Sequence, residues 1–99
     1  MIPGTVSKLS ETIISLTNTI TPKSDVVRVS STATTTVVVT INPPFPQNDA
    51  MMVLVNSSGG AITATTAGNI ATTVSIPNGN MCIFVYSKSS GKWHADKTT

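Results

Sequence analysis

The feature that most constrains the fold is the segment from Ile76 to Tyr86, where a tight-turn signal leads into an unbroken apolar run. Asn78 and Gly79 form a dipeptide that tolerates the positive φ angles of a two-residue β-hairpin turn. Met81 to Tyr86 is too short for an ordinary helix, and its β-branched residues favour an extended chain. The segment therefore predicts a hairpin whose second strand is buried on both faces.

Short β-rich segments separated by turn signals continue through the rest of the chain after Val26. Their spacing is typical of an all-β domain, a small antiparallel β-sandwich or jelly-roll-like barrel. A parallel sheet is not expected, because no connecting segment has room for a crossover helix. The predicted strands are 26–30, 35–41, 51–56, 61–65, 73–76, 81–87 and 92–96.

The N-terminal part of the chain is ambiguous. We expect residues 1–25 to form an arm, either extended or a short helix, and residues 26–99 to form the β-sandwich domain. The abundance of Ser, Thr and Ile favours an extended arm or edge strand that packs on its own domain or reaches a neighbouring subunit. A helix remains the alternative, since apolar residues recur at helical spacing at Leu9, Ile13, Leu16 and Ile20.

The surface composition points towards contact with other proteins. Only 10% of the residues are charged, against about a quarter in typical soluble domains. Ser and Thr are expected at surface positions where charged residues are usual. Dehydrating a hydroxyl group costs far less free energy than dehydrating a charged group. The strand propensity of Thr explains the composition equally well. Strands such as Thr36 to Ile41 have few charges to protect their edges, however, which again indicates assembly.

Several classes of partner are not expected. The formal net charge is +2, but the cations are scattered, whereas nucleic-acid binding needs them clustered. No apolar run approaches the length of about 20 residues that spans a membrane, and Met1 to Gly4 do not begin a secretory signal. The single cysteine, Cys82, is predicted to be a buried free thiol. A free cysteine is typical of a protein made in a reducing compartment.

Catalysis and metal binding are not predicted either. His94 and Asp96 would share one face of a strand, but no Ser lies in a nucleophile motif such as G-x-S-x-G. A surface or interface role for His94 is therefore expected. The single His, the single Cys and the scattered acids give no metal-ligand spacing, and the glycines form no phosphate loop. We predict a protein that is not an enzyme and has no cofactor.

The aromatic residues allow two interpretations. Trp93, Tyr86 and Phe45 are able to stack on a sugar ring, although Trp93 is expected to cap one end of the core. Phe45 lies between two prolines in a loop that cannot enter a sheet. We expect Phe45 to plug the end of the core, with an exposed contact as the alternative.

A series of short motifs in the second half of the chain resembles a known group of proteins. The motifs are Val53-Leu54-Val55-Asn56, Gly59-Gly60-Ala61-Ile62-Thr63, Gly68-Asn69-Ile70, Pro77-Asn78-Gly79, Phe84-Val85-Tyr86 and Gly91-Lys92-Trp93. In this order they resemble the β-domains of tailed-bacteriophage virion proteins, which occur in tail-fibre and head-fibre segments and in capsid decoration (cement) proteins. The resemblance covers about half of the chain.

The resemblance implies a structural virion protein. A fibre subunit usually carries a shaft and an attachment domain, for which 99 residues leave no room, so a decoration protein is favoured. Such a protein would bind the major capsid protein on the outer capsid surface as a homotrimer and stabilise the shell, after assembly in the host bacterial cytoplasm. The alternative is a tail or fibre module that binds a host receptor or glycan. Candidate partner contacts are Leu9, Ile13, Leu16, Ile20, Phe45 and Trp93.

Overall fold

All regular structure in the computed structural model is β. The structure describes residues 10–32, 35–45 and 47–96. The strands are β1 (Glu11–Ser15), β2 (Thr19–Ile20), β3 (Val26–Ser31), β4 (Val37–Val38), β5 (Thr40–Ile41), β6 (Ala50–Asn56), β7 (Ile62–Ala64), β8 (Val74–Ile76), β9 (Met81–Ser87) and β10 (Lys92–Ala95).

The strands form two layers. The first layer is a five-stranded sheet in the order β1-β3-β6-β9-β10. The second layer consists of a three-stranded sheet, β4-β7-β8, and a two-stranded sheet, β2-β5. Between the layers lies one hydrophobic core, so the predicted all-β sandwich is confirmed. The described strands do not close into a barrel.

The expectation of antiparallel pairing is wrong for half of the first layer. Strands β1, β3 and β6 run parallel, and β2-β5 and β4-β7 are parallel as well. Pairing is antiparallel only for β6-β9, β9-β10 and β7-β8. After β1 and again after β3, the chain leaves the first layer, passes through the second layer and returns in the original direction. A second sheet thus replaces the crossover helices that the sequence lacks.

The Asn78-Gly79 turn forms, but it does not make a hairpin. Gly79 has a φ angle of 87°, and Asn80 N–H donates to Pro77 O at 3.1 Å. The strands on either side, β8 and β9, lie in different layers, because β8 pairs with β7 and β9 with β6. The Ser57–Gly60 turn likewise joins β6 to the second layer. Both turns carry the chain from one layer to the other. The turn residues predict a turn, but they do not predict which layer the next strand joins.

Residues 11–25 are part of the domain. β1 pairs with β3 at the edge of the first layer, which confirms the edge-strand interpretation and excludes a helix over Glu11–Ser15. Leu16 and Ile20 are buried in the common core. The boundary expected after residue 25 therefore does not separate two units, because the five-stranded sheet crosses it.

The predicted strand 35–41 is divided at Val39. Its first part, β4, joins β7, and its second part, β5, joins β2. Val39 lies against Gly68, where an added Cβ would be 2.3 Å from Val39 O. Glycine at position 68 allows this close backbone approach.

Trp93 is fully buried and belongs to the core. Its indole Nε1–H donates to Ile41 O at 2.8 Å, and its ring lies 5.3 Å from that of Tyr86 at an interplanar angle of 50°. This contact links β10 of the first layer to β5 of the second. The buried hydrophobic residues are Leu16, Ile20, Val27, Val29, Val38, Ile41, Met52, Leu54, Ile62, Ala64, Ile70, Val74, Ile76, Cys82, Phe84, Tyr86 and Trp93.

Asn56 is a fully buried polar side chain that holds the end of β6 to the second layer. Its amide Nδ2 donates to Gly60 O at 2.7 Å and to Ile76 O at 2.8 Å. Its Oδ1 accepts from Ser58 N–H at 3.0 Å. Every hydrogen-bonding atom of this amide is thus satisfied inside the protein, as a buried polar group requires.

We expect Asn56→Ala to lower the free energy of unfolding by about 2–4 kcal/mol, because it leaves buried carbonyl groups without a donor. Asn42→Ala is the matched control, since Asn42 is exposed and its Nδ2 donates only to Thr21 Oγ1. We expect this control to lose less than about 1 kcal/mol. Urea unfolding at a fixed protein concentration, followed by the fluorescence of Trp93, measures both values. Equal losses in the two variants would contradict the role given to Asn56.

Candidate assembly surface

The most unusual surface of the molecule is the side of the five-stranded sheet that faces away from the core. Alternation along each strand sends every second side chain to this side. Register brings them into rows: Ile13, Arg28, Val55 and Met81 lie side by side, as do Glu11, Val26, Val53 and Ile83. We call this surface the outer face; its apolar members are Ile13, Val26, Met51, Val53, Val55, Met81, Ile83 and Val85.

The outer face is open to solvent in the single chain. Exposed fractions are 64% for Met51, 55% for Ile13, 53% for Met81 and 43% for Val85. The unbroken apolar run of β9 predicts burial on both faces, but residues 10–32, 35–45 and 47–96 cover only one of them. Its buried side chains are Cys82, Phe84 and Tyr86, whereas Met81 and Val85 are exposed. Within the described part of the chain, the outward side of β9 therefore has no second layer over it.

The outer face carries few charges: one ion pair, and the exposed Lys92 on the outward side of β10 at its margin. Glu11 and Arg28 form an ion pair with an Oε1–Nε distance of 3.4 Å. Both side chains are partly exposed, so the pair contributes little to stability, but it neutralises both charges locally. Arg28 Nη1 also lies 3.4 Å from Ser57 Oγ. His94 lies in one row with Val85 and Met51 and marks the margin at β10.

The area of the outer face is similar to the area of apolar surface patches that often serve as interaction sites. With strands about 4.8 Å apart and a rise of about 3.3 Å per residue, five strands over roughly five residues cover about 400 Å². The largest apolar patch on a typical monomer is about 300–600 Å² and is often an interaction site. The outer face is therefore a candidate for protein contact.

The opposite side of the sandwich is uncharged but polar. The sequence between Asp49 and Lys88 contains no charged residue, and neither does the sequence between Arg28 and Asp49. All strands of the second layer except β2 lie in these ranges, and β2 is Thr19–Ile20. Thr19, Thr40, Thr63 and Ser75 are partly or fully exposed there. A hydroxyl surface of this kind is cheap to dehydrate on contact.

Three of the predicted partner contacts are not at the surface. Leu16 and Trp93 are 0% exposed and Ile20 is 2% exposed, so all three belong to the core. Their prediction as contacts is incorrect for this structure, because β1 and β2 pack on their own domain. Ile13 lies on the outer face, whereas Leu9 is outside the described residues.

Sequence reasoning did not single out Met51, Val53, Val55, Met81, Ile83 and Val85 as contacts. Met81, Ile83 and Val85 belong to the run that predicts burial on both faces, and Met51, Val53 and Val55 belong to a second apolar run. The runs show that both faces are apolar. They do not show whether the same chain covers both.

Phe45 is 63% exposed, so the expected plug over the core is wrong and the exposed alternative is correct. It lies beside a cleft of about 420 Å³ whose lining includes Lys23, Asp25, Asp49 and Trp93. A sugar site would require Trp93, Tyr86 and Phe45 to be exposed together. Trp93 is fully buried and Tyr86 is 7% exposed, so Phe45 alone offers a ring for stacking.

His94 has a contact that does not amount to a catalytic site. Its Nε2 lies 3.1 Å from Ser90 Oγ, and both side chains are exposed. Within the described part of the chain, His94 has no hydrogen bond to Asp96 that would orient its ring. The arrangement therefore lacks the oriented base of a nucleophilic triad.

Cys82 is a buried thiol on β9. Its Sγ donates to Asp96 O at 3.5 Å. Burial raises the pKa of Cys82 above its ordinary value of 9.0, and the nearby Asp96 carboxylate raises it further, while the backbone hydrogen bond acts in the opposite direction. A protonated, buried thiol is a poor nucleophile.

Residues 10–32, 35–45 and 47–96 contain neither a cluster of metal ligands nor a membrane-spanning helix. No group of three or more His, Cys, Asp or Glu side chains is placed to hold a metal ion. None of the described residues belongs to a helix long and apolar enough to cross a membrane.

Comparison of the chain with protein-family models, with curated proteins and with solved structures gave no match.

The raised pKa of Cys82 predicts a pH effect on stability. The unfolded thiol ionises near its ordinary pKa of 9.0, whereas the folded thiol stays protonated to a higher pH. The contribution of Cys82 is therefore complete below pH 9.0 and is lost as the pH rises through its folded pKa. We expect the free energy of unfolding to fall more steeply in the wild type than in Cys82→Ala from about pH 9.0 up to the raised pKa of the folded thiol.

Urea unfolding of both proteins from about pH 8 to about pH 10.5 spans the ordinary range of thiol ionisation. The Cys82→Ala variant controls for all other groups that titrate there. A difference between the two proteins that stays constant across this range would contradict the assignment.

Proposed function

We propose that this chain is a structural virion protein of a tailed bacteriophage, a capsid decoration (cement) protein that binds the outer surface of the capsid as a trimer and stabilises the shell. The observation that carries the proposal is the outer face: an apolar sheet surface with few charges that the described residues of the chain leave open. The motif resemblance between Val53 and Trp93 supplies the virion context.

The proposed mechanism is association without chemistry. Three copies held together would present three identical contact surfaces to neighbouring capsid subunits. Once one surface binds, the others are held at high effective concentration, so modest individual affinities add up to tight attachment. The subunits that are joined in this way resist separation.

The uncharged second layer suits contact with a shell. Its exposed Thr and Ser side chains are dehydrated at low cost and provide hydrogen-bond donors and acceptors. The absence of charge between Asp49 and Lys88 also means that no ion has to be buried when that surface is covered. In this proposal the major capsid protein is the partner, and neither nucleic acid nor membrane takes part.

The alternative of a tail or fibre module that binds a glycan has less support. Sugar sites use exposed aromatic rings, and two of the three candidate rings, those of Trp93 and Tyr86, are held in the core. Phe45 and its neighbouring carboxylates would have to supply the site alone.

Co-sedimentation tests the proposal. Purified protein is mixed with expanded capsids assembled from the major capsid protein of the phage that encodes it. We expect saturable binding to these capsids and a higher temperature of shell disruption when the protein is bound, because bound copies join neighbouring subunits. The matched control is the same mixture with host cells or isolated tails, to which no binding is expected.

Binding to cells or tails without binding to capsids would overturn the decoration role and support the tail-module alternative. Binding to neither would overturn both. A position of the coding sequence next to that of a major capsid protein, as opposed to tail genes, would be consistent with the first result.

A further inference from the structure

We propose that Asn78 is a site of spontaneous deamidation that the native fold holds unreactive, and that the modification requires two turns of the chain to separate. The first turn is residues 57–60, which follow β6, and the second turn is residues 77–80, which precede β9. We call the contact between these two turns the junction. The site is independent of the proposed function, because the reaction needs only water.

The chemistry follows from the residue after Asn78. Asn78-Gly79 is the only Asn-Gly pair in the sequence, and glycine has no side chain to obstruct attack by its own backbone nitrogen. Hydroxide removes the Gly79 amide proton, the nitrogen bonds to Cγ of Asn78, and Nδ2 takes a proton from water and leaves as ammonia. Water then opens the resulting succinimide ring at one of its two carbonyl carbons, which gives aspartate or isoaspartate.

The native conformation of the second turn opposes ring closure. Gly79 has a φ angle of 87°, Asn78 does not have a positive φ, and Asn80 N–H donates to Pro77 O at 3.1 Å. This combination defines a type II turn, in which the residue at the Asn78 position has a ψ angle of about +120°. Ring closure eclipses Cβ of Asn78 with the Gly79 nitrogen, which for an L-residue needs a ψ angle of about −120°, as in the mirror-image type II′ turn. Asn78 must therefore leave the native turn before it reacts.

The nucleophile of the reaction is held in a hydrogen bond across the junction. Gly79 N–H donates to Asn56 O at 2.7 Å, and Asn56 N–H donates to Asn80 O at 2.8 Å. Asn56 itself is 0% exposed. A backbone N–H in such a bond is protected from hydroxide until the structure opens locally, as in amide hydrogen exchange. The Gly79 nitrogen is therefore not free to attack in the native state.

The carboxamide that would be attacked is held as well. Asn78 Oδ1 accepts from Gly59 N–H at 2.8 Å, which ties the side chain to the first turn. The Asn56 side chain supports the same arrangement, since its Nδ2 donates to Gly60 O at 2.7 Å and to Ile76 O at 2.8 Å. These bonds run from one turn to the other or to the strand beside it. Separation of the junction therefore releases the nucleophile and the carboxamide together.

Either product would mark the opened molecule permanently. Aspartate keeps an acceptor oxygen for Gly59 N–H, but it places a negative charge in residues 50–87, which contain no charged residue. Isoaspartate inserts an additional methylene into the backbone between residues 78 and 79. The hydrogen bonds of the second turn to Asn56 then cannot all form again.

The test compares folded and unfolded protein by peptide mass spectrometry. Wild-type protein is incubated in mildly alkaline buffer with and without denaturing urea, and is then cut with an acid-active protease, so that digestion adds no modification. Peptides that contain Asn78 are scored for replacement of the amide NH₂ by OH, and chromatography separates aspartate from isoaspartate. We expect modification at Asn78 in the unfolded chain and a rate at least about tenfold lower in the folded protein.

Two variants show whether the junction controls the rate. Asn56→Ala removes side-chain bonds of the junction, so we expect folded Asn56→Ala to be modified at Asn78 at least about tenfold faster than the folded wild type. Ile41→Ala is the matched control, because Ile41 is 0% exposed and lies on β5, which pairs with β2 and not with either turn. It weakens the core but leaves the junction bonds in place, so we expect a smaller acceleration.

A folded wild type that is modified at Asn78 as fast as the unfolded chain would overturn the proposal, and so would an unfolded chain in which Asn78 stays intact. Equal acceleration by Asn56→Ala and Ile41→Ala at equal loss of stability would assign the reaction to global unfolding and overturn the role of the junction. Failure of the protein to bind capsids would leave all of these results unchanged, so the two proposals are tested separately.

Discussion

The structure depends on the way its second layer covers one side of the five-stranded sheet and leaves the other side open. The chain passes repeatedly between the layers, and each passage adds apolar side chains to the same core. The second layer consists of short strands. The strands β6 and β9 are apolar on both sides, and among the described residues no second layer lies over their outward side, where Met51, Met81 and Val85 are exposed.

Hydrogen bonds from side chains to the backbone hold the layers in register where the turns join them. Asn56 binds carbonyls on both sides of the second layer's β7-β8 pair. Asn69 both donates to Ile41 O and accepts from Ile41 N–H, so its amide acts as an additional strand partner for β5. Trp93 donates to the same carbonyl from the first layer. These contacts join the first layer to the second, and β5 to the segment between β7 and β8.

Much of the fold was predictable because β-branched runs and turn residues are local signals. The positions of β3, β6, β9 and β10 agree closely with the predicted segments. Pairing was not predictable, because Asn78-Gly79 specifies a turn but not the layer to which the chain turns. The candidate site was predicted only in part: Ile13 and Phe45 are exposed as contacts require, whereas Leu16, Ile20 and Trp93 are drawn into the core. A hydrophobic residue is expected to be buried, but the sequence does not show whether its own chain or another chain buries it.

The central claim is that other protein covers the outer face of the native molecule. Peroxide oxidation followed by peptide mass spectrometry tests it with neighbouring methionines: Met52 is 1% exposed, whereas Met51 and Met81 are 64% and 53% exposed in the single chain. Methionine sulfoxide forms where the thioether is accessible. The account predicts that in the native protein Met51 and Met81 oxidise as slowly as Met52. Rapid oxidation of Met51 and Met81 alongside a protected Met52 would contradict it.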